Sequence, residues 1–208
     1  MGKGEATRQA ILEQAAQVAS RMGLEGVTIG RLADELELSK SGLFAHFQSK
    51  EALQIQTLRF AAELFVERVI RPALRAPRGE TRLRALFERW LDWARAATLK
   101  GGCLFVAAAS ELDDRDGPVR DELVRQQREW LELIANVARS GVTEGDFRSS
   151  LDVEQLAHDI HGVMLAYHHC RRLLRDARAE ERARTAFLAL LLAARADAPP
   201  KARKGRAG

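Results

Sequence analysis

The stretch TIGRLADELELSKSGLFAHFQSKEAL, residues 28–53, decides the fold. Thr28 precedes Ile29, Leu32, Ala33 and Leu36, whose i, i+3, i+4, i+7 spacing draws one apolar helical face. Ser39 precedes Leu43 and Phe47, which share a face at i, i+4. Threonine and serine at these positions are N-cap residues, able to accept a free backbone N–H at the helix start, and Ser49 is placed to do the same for the long helix that follows. Helices this short are unstable alone and need a neighbour to cover them. The preceding segment supplies one: from Thr7 to Met22 it turns Ile11, Ala15, Val18, Ala19 and Met22 to one side, and it stops at Gly23, suited to a left-handed cap.

Helical periodicity continues to the end of the chain without sustained period-2 alternation, so the fold class is all-α. Nine helices are expected. After the first three comes a long fourth from Ser49 to Ile70, ended by Pro72, then helices near residues 80–98, 103–112, 118–140, 152–175 and 179–195. The division expected is a head over residues 1–48, a helical body over 49–196 and a disordered basic tail over 197–208, where Lys201, Arg203, Lys204 and Arg206 follow two prolines. The chain has 208 residues, 46% hydrophobic and 30% charged, enough for a real core. Its longest apolar run is far shorter than the roughly 20 residues of a membrane span, and Cys103 and Cys170 make no disulfide framework, so a cytoplasmic protein without membrane contact is expected.

Two short helices joined by a tight turn and braced by a longer one form the helix-turn-helix arrangement, whose second short helix enters the DNA major groove. A groove about 12 Å wide admits one bare helix, which accounts for the small size of the segments. On the reading helix Lys40, Ser41, Gly42 and Ala45 lie opposite Leu43 and Phe47 and are the candidates for base edges. Thr28, Ser39, His46 and Lys50 are better placed for phosphates, although capping alone also accounts for Thr28, Ser39 and Ser49. From Met1 to Lys50 the basic and acidic residues cancel, so phosphate affinity must come from placement: Lys40 and Lys50 stand at helix starts, where free amides add positive potential, and Lys3 and Arg8 could extend the surface.

Thr28, Leu32, Ala33, Leu38, Ser39, Lys40, His46, Phe47, Lys50, Glu51 and Leu53 fall at the spacing of the TetR-type transcriptional regulators, which the segment over residues 8–55 resembles. The resemblance implies an N-terminal helix-turn-helix domain and a C-terminal bundle that binds a small-molecule effector and dimerises. It also implies a double-stranded DNA operator as partner and the phosphate roles given above. Two positions depart from the family pattern. Glu37 stands where a turn glycine is usual, which predicts a non-glycine residue in the left-handed region. Phe44 stands where the family often has a tyrosine on the reading helix, which keeps a ring on the DNA face but lacks the hydroxyl that could meet a phosphate.

In the body, Leu83, Phe87, Trp90, Ala94 and Ala97 form one stripe, with Trp93 beside it, and CLFVAAASEL at residues 103–112 lets neighbours approach closely. Such a stripe is more often plain core than the wall of a cavity; the resemblance shifts the expectation toward a cavity. The residues expected to line it are Phe87, Trp90, Phe105, Trp130, Ile134, His161, Met164 and Tyr167. The segment HDIHGVMLAYHHC, residues 158–170, is rich in histidine but lacks a CxxC or HExxH element, so neither a metal nor another cofactor is assigned. Phe187, Leu188, Leu190, Leu191 and Leu192 spread over more of the last helix than one core-facing stripe needs, which fits a homodimer through the last two helices, as the resemblance implies. A metal-binding all-α enzyme and a helical adaptor are the alternatives. No nucleophile–base order, phosphate loop or carboxylate pair supports an enzyme.

Overall fold

The computed structural model describes residues 3–95 and 98–196, with the side chain of Lys3 excepted. The basic tail, Ala97 and the side chain of Lys3 therefore lie outside the described residues. The head consists of α1 (Lys3–Met22), α2 (Ile29–Glu35) and α3 (Lys40–Phe47). The rod α4 is α-helical over Lys50–Phe65, passes through a π turn over Val66–Ile70 and ends with a last turn, Arg71–Leu74. The body continues with α5 (Glu80–Ala94), α6 (Leu104–Leu112), α7 (Pro118–Thr143), α8 (Val153–Arg172) and α9 (Ala179–Ala194). With the rod counted once, nine helices lie among the described residues, and the fold is all-α.

The caps form where the sequence places them. Thr28 Oγ1 accepts from Arg31 N at 3.2 Å, Ser39 Oγ from Gly42 N at 3.1 Å and Ser49 Oγ from Ala52 N at 3.0 Å. Each cap is worth about 1 kcal/mol. Gly23 takes φ 77° at the end of α1. Glu37 takes φ 54°, the left-handed turn expected without a glycine, and Leu38 N closes that turn on Ala33 O at 2.9 Å. Gln48 is a second left-handed non-glycine, φ 64°, between α3 and α4.

Two expectations are corrected. Met22 is 52% exposed, beside the Arg31 guanidinium, because α1 ends there and Leu24, 1% exposed, fills the inward position instead. Pro72 does not end the rod at Ile70. The π turn shifts the register by one residue just before it, so that Pro72 falls in the first turn of the last segment, where its missing N–H costs nothing.

The head is seated on the body by a loop and a helix. Gln17 Nε2 donates to Thr98 O at 2.9 Å, Lys100 N to Gln17 Oε1 at 3.1 Å and Gly101 N to Ser20 Oγ at 3.0 Å. A Cβ at Gly101 would lie 1.7 Å from Ser20 O, so the two backbones meet at a distance only glycine allows. From α6, Glu111 Oε2 accepts from Leu24 N at 2.6 Å.

Candidate nucleic-acid interface and effector cavity

On α3, Leu43 and Phe47 are buried against the head's core, while Lys40, Ser41, Gly42, Phe44 and Ala45 are exposed. His46 is half-buried, with its ring 6.2 Å from that of Phe47. The face set opposite the core thus carries one long cation, one hydroxyl, one bare backbone position and a phenyl ring 53% exposed. Thr28 and Ser39 stand at the starts of α2 and α3, and Ser39 Oγ also lies 3.3 Å from Ser41 Oγ. Lys50, at the first turn of α4, is paired with Glu25 at 2.8 Å, and Glu25 also receives Arg115 at 2.8 Å from the loop between α6 and α7. That double pairing was not evident from the sequence, since Glu25 carries no motif of its own.

The body contains a cavity of about 110 Å³. Phe65 is its aromatic centre, standing edge-on to Trp93 at 5.3 Å, Phe105 at 5.8 Å and Trp130 at 5.0 Å. Of the residues the sequence proposed for lining, Trp90, Phe105, Trp130 and His161 are on the wall. Phe87, Ile134, Met164 and Tyr167 are not. They are buried behind it, where Phe87 stacks on Phe187 at 4.0 Å to join α5 to α9, and Tyr167 meets the edge of Trp90 at 5.7 Å. The α4 wall, Ala62, Phe65, Val66 and Ile70, is not among the residues expected to line the cavity. Its signal in the sequence is the i, i+4 series Ala62–Val66–Ile70. Cys103 at the start of α6, Val106 within it, and Gln126, Gln127 and Glu129 from α7 complete the wall.

Burial sets the electrostatics of this region. It pushes the Cys103 thiol up, so the sulfur stays protonated. It pulls His161 below the ordinary histidine range, aided by the charge of His158, so the imidazole on the wall is neutral near pH 7. Burial would raise Glu122, but hydrogen bonds from Arg125, Arg59 and Gln126 outweigh it and hold the carboxyl below its usual range. Among the described residues no three His, Cys, Asp or Glu side chains gather as a metal site would require, and no helix is long and apolar enough to cross a membrane.

A short reading helix braced by two others, carried on a rod that also walls a cavity, defines a helix-turn-helix regulator with an effector-binding body. Residues 11–56 match the family described as bacterial regulatory proteins, tetR family, and residues 79–187 match the tetracyclin repressor-like C-terminal domain. The chain belongs to this family and is a DNA-binding transcriptional regulator. It is 29% identical over 154 residues to the HTH-type transcriptional repressor DhaR of Mycobacterium sp. (strain GP1), covering 72% of this chain and 74% of that one. A TetR transcriptional regulator from Chloroflexus aurantiacus superposes with a TM-score of 0.80 at 28% identity, covering 92% of this chain and 96% of that one. The fold is shared with AibR, whose structure contains isovaleryl coenzyme A and operator DNA, at a TM-score of 0.70 and 22% identity over 88% and 97% of the two chains.

Proposed function

We propose that the protein is a cytoplasmic homodimeric repressor, and not an enzyme, that binds a palindromic double-stranded operator and leaves it when a small molecule fills the cavity. The observation that carries this reading is the division of α3 into a buried half, Leu43 and Phe47, and an exposed half that presents Lys40, Ser41, Gly42 and Ala45. Base contacts are assigned to those four and phosphate contacts to Thr28, Ser39, His46 and Lys50, while the exposed Phe44 ring lies on the DNA face without a phosphate hydrogen bond. No cofactor or membrane enters the scheme.

Dimerisation through α8 and α9 is supported by an apolar face that the fold leaves uncovered. Leu165 on α8 and Leu188 and Leu192 on α9 are 39%, 42% and 54% exposed, whereas Phe187 and Leu191 face the core. A second copy placed on this face would set two reading helices about one DNA turn, roughly 34 Å, apart. Two connections run from cavity to head. The rod α4 walls the cavity at Phe65 and carries Lys50 at its other end, and α6 walls it at Phe105 while its Glu111 holds Leu24. A 100-fold release from DNA needs about 2.7 kcal/mol of coupling, within reach of one site.

Selection from random duplex DNA, with the oligomeric state measured by analytical ultracentrifugation, tests the reading. The expected product is an inverted repeat bound by a dimer, and Leu188→Glu with Leu192→Glu should yield a monomer that has lost the site. Enrichment of single half-sites by a monomeric wild-type protein would refute it.

A further inference from the structure

We infer that the cavity takes an uncharged molecule of about one aromatic ring that carries a hydrogen-bond donor, and that the donor bonds to the Gln126 carbonyl oxygen. This rests on the reading of the cavity as the effector site. Size comes first: the cavity is about 110 Å³, and an apolar protein cavity of roughly 150 Å³ holds benzene. The wall is formed mainly by the rings of Phe65, Trp90, Phe105 and Trp130, which favour a flat apolar body.

The lining offers a charged ligand of either sign no free counter-charge. No lysine or arginine lines the cavity, so a carboxylate or phosphate would be buried without a partner. The carboxylate on the wall, Glu129, is already paired with Arg125 at 2.6 Å, and its side chain is 60% exposed. A ligand cation would find no free counter-charge there, and the neutral His161 offers none.

The polar requirement follows from Gln126, 9% exposed. Its Nε2 donates to Glu122 Oε1 at 2.6 Å, and Glu122 is held by Arg125 at 2.5 Å and Arg59 at 3.2 Å. A carboxylate flanked by two guanidinium groups is an acceptor, which fixes the nitrogen end of the amide toward Glu122 and leaves Oε1 at the opposite end. That oxygen is buried and accepts no hydrogen bond from the protein. A buried acceptor without a donor costs free energy that a hydroxyl or N–H in the cavity would recover.

The test uses the full-length protein and four ring-sized probes, phenol, anisole, benzoate and benzylammonium, with dissociation constants from calorimetry and from the emission of Trp90 and Trp130. Phenol should bind roughly 3- to 10-fold more tightly than anisole, and both more tightly than the two ions. In Gln126→Met, which keeps length and volume, the phenol-to-anisole ratio should fall to about one while anisole binds as before. An unchanged ratio in Gln126→Met, or phenol no better than anisole in the wild type, overturns the inference; the wild-type comparison stands whether or not the variant folds. Tighter binding of either ion overturns the donor class but leaves the effector cavity in place. Failure of all four probes to bind overturns both.

Discussion

Lys50 Nζ lies 2.8 Å from Glu25 Oε2, so the cation best placed for a phosphate is already engaged inside the head. The hydrogen bond from Lys50 is the main cause that holds the Glu25 carboxyl below its usual range. Both side chains are nearly half exposed, 43% and 48%, so the pair is worth no more than about 1 kcal/mol and a DNA phosphate can compete for the lysine. Glu25→Gln should therefore tighten binding to any duplex by about 2- to 5-fold, while Lys50→Ala weakens all sequences alike and lowers the salt slope by about one. Titrations over a salt series separate these outcomes. If Glu25→Gln leaves the affinity unchanged at every salt concentration, Lys50 does not meet a phosphate.

Lys40 differs in kind, since it is exposed at the start of the reading helix and forms no ion pair among the described residues. Lys40→Ala should cost about 1 to 3 kcal/mol on the best site and flatten discrimination among base variants. A panel of operator variants reads the difference: uniform loss across the panel would make Lys40 a backbone contact only.

The turn between α2 and α3 stores strain at Glu37, φ 54°. A left-handed conformation costs an ordinary residue roughly 1 to 2 kcal/mol, and glycine adopts it without that cost but with a more flexible unfolded chain. Glu37→Gly should therefore stabilise the protein by about 0.5 to 1 kcal/mol, measured by urea unfolding. It should not shift α3, so operator specificity is expected to stay as it was. A loss of stability would show that the Glu37 side chain contributes more than its backbone costs.

What could be read in advance was local. Thr28, Ser39 and Ser49 cap because a side-chain oxygen meets an amide three residues away, and Glu37 is left-handed because the turn geometry demands it whatever residue stands there. The cavity was only half legible, because Trp90 on its wall and Phe87 behind it belong to one stripe of one helix, and composition does not distinguish a ring that faces a void from one that faces Phe187. The π turn at Val66–Ile70 left no pattern that differs from an α-helix ended by proline. The pairing of Glu25 with Arg115 joins segments far apart in sequence, and nothing local announces it.

The seat of the head on the body depends on Gly101. An alanine there would drive its Cβ to 1.7 Å from Ser20 O and 2.0 Å from Ser20 C, both backbone atoms that cannot rotate away. Gly101→Ala should cost on the order of 2 to 4 kcal/mol, with the melting temperature falling by roughly 2 to 4 °C for each. Because the displaced loop leads into α6, whose Phe105 walls the cavity, the variant that still folds should show weaker coupling between probe and DNA. Normal coupling in a folded Gly101→Ala protein would assign transmission to α4 alone.

His168 stands against the same loop, its Nε2 buried without a partner and 3.5 Å from where a Cβ on Gly102 would lie. Burial, with help from the charges of Arg172 and His169, pushes its pKa down to about 4. The folded value lies below the unfolded one, so as pH falls through about 6.5 the unfolded chain takes up a proton that the folded chain refuses. Stability contributed by the neutral imidazole is therefore intact above that pH, declines as the pH drops toward about 4, and levels off below it. The side chain is half-buried, so solvent screening reduces the effect to on the order of 1 to 2 kcal/mol. His168→Gln removes the titrating group and should flatten this part of the profile. Urea midpoints at pH 7 and pH 4.5 check it, with the wild type expected to lose about 1 to 2 kcal/mol more than the variant. Parallel losses in the two proteins would place the acid sensitivity elsewhere in the fold.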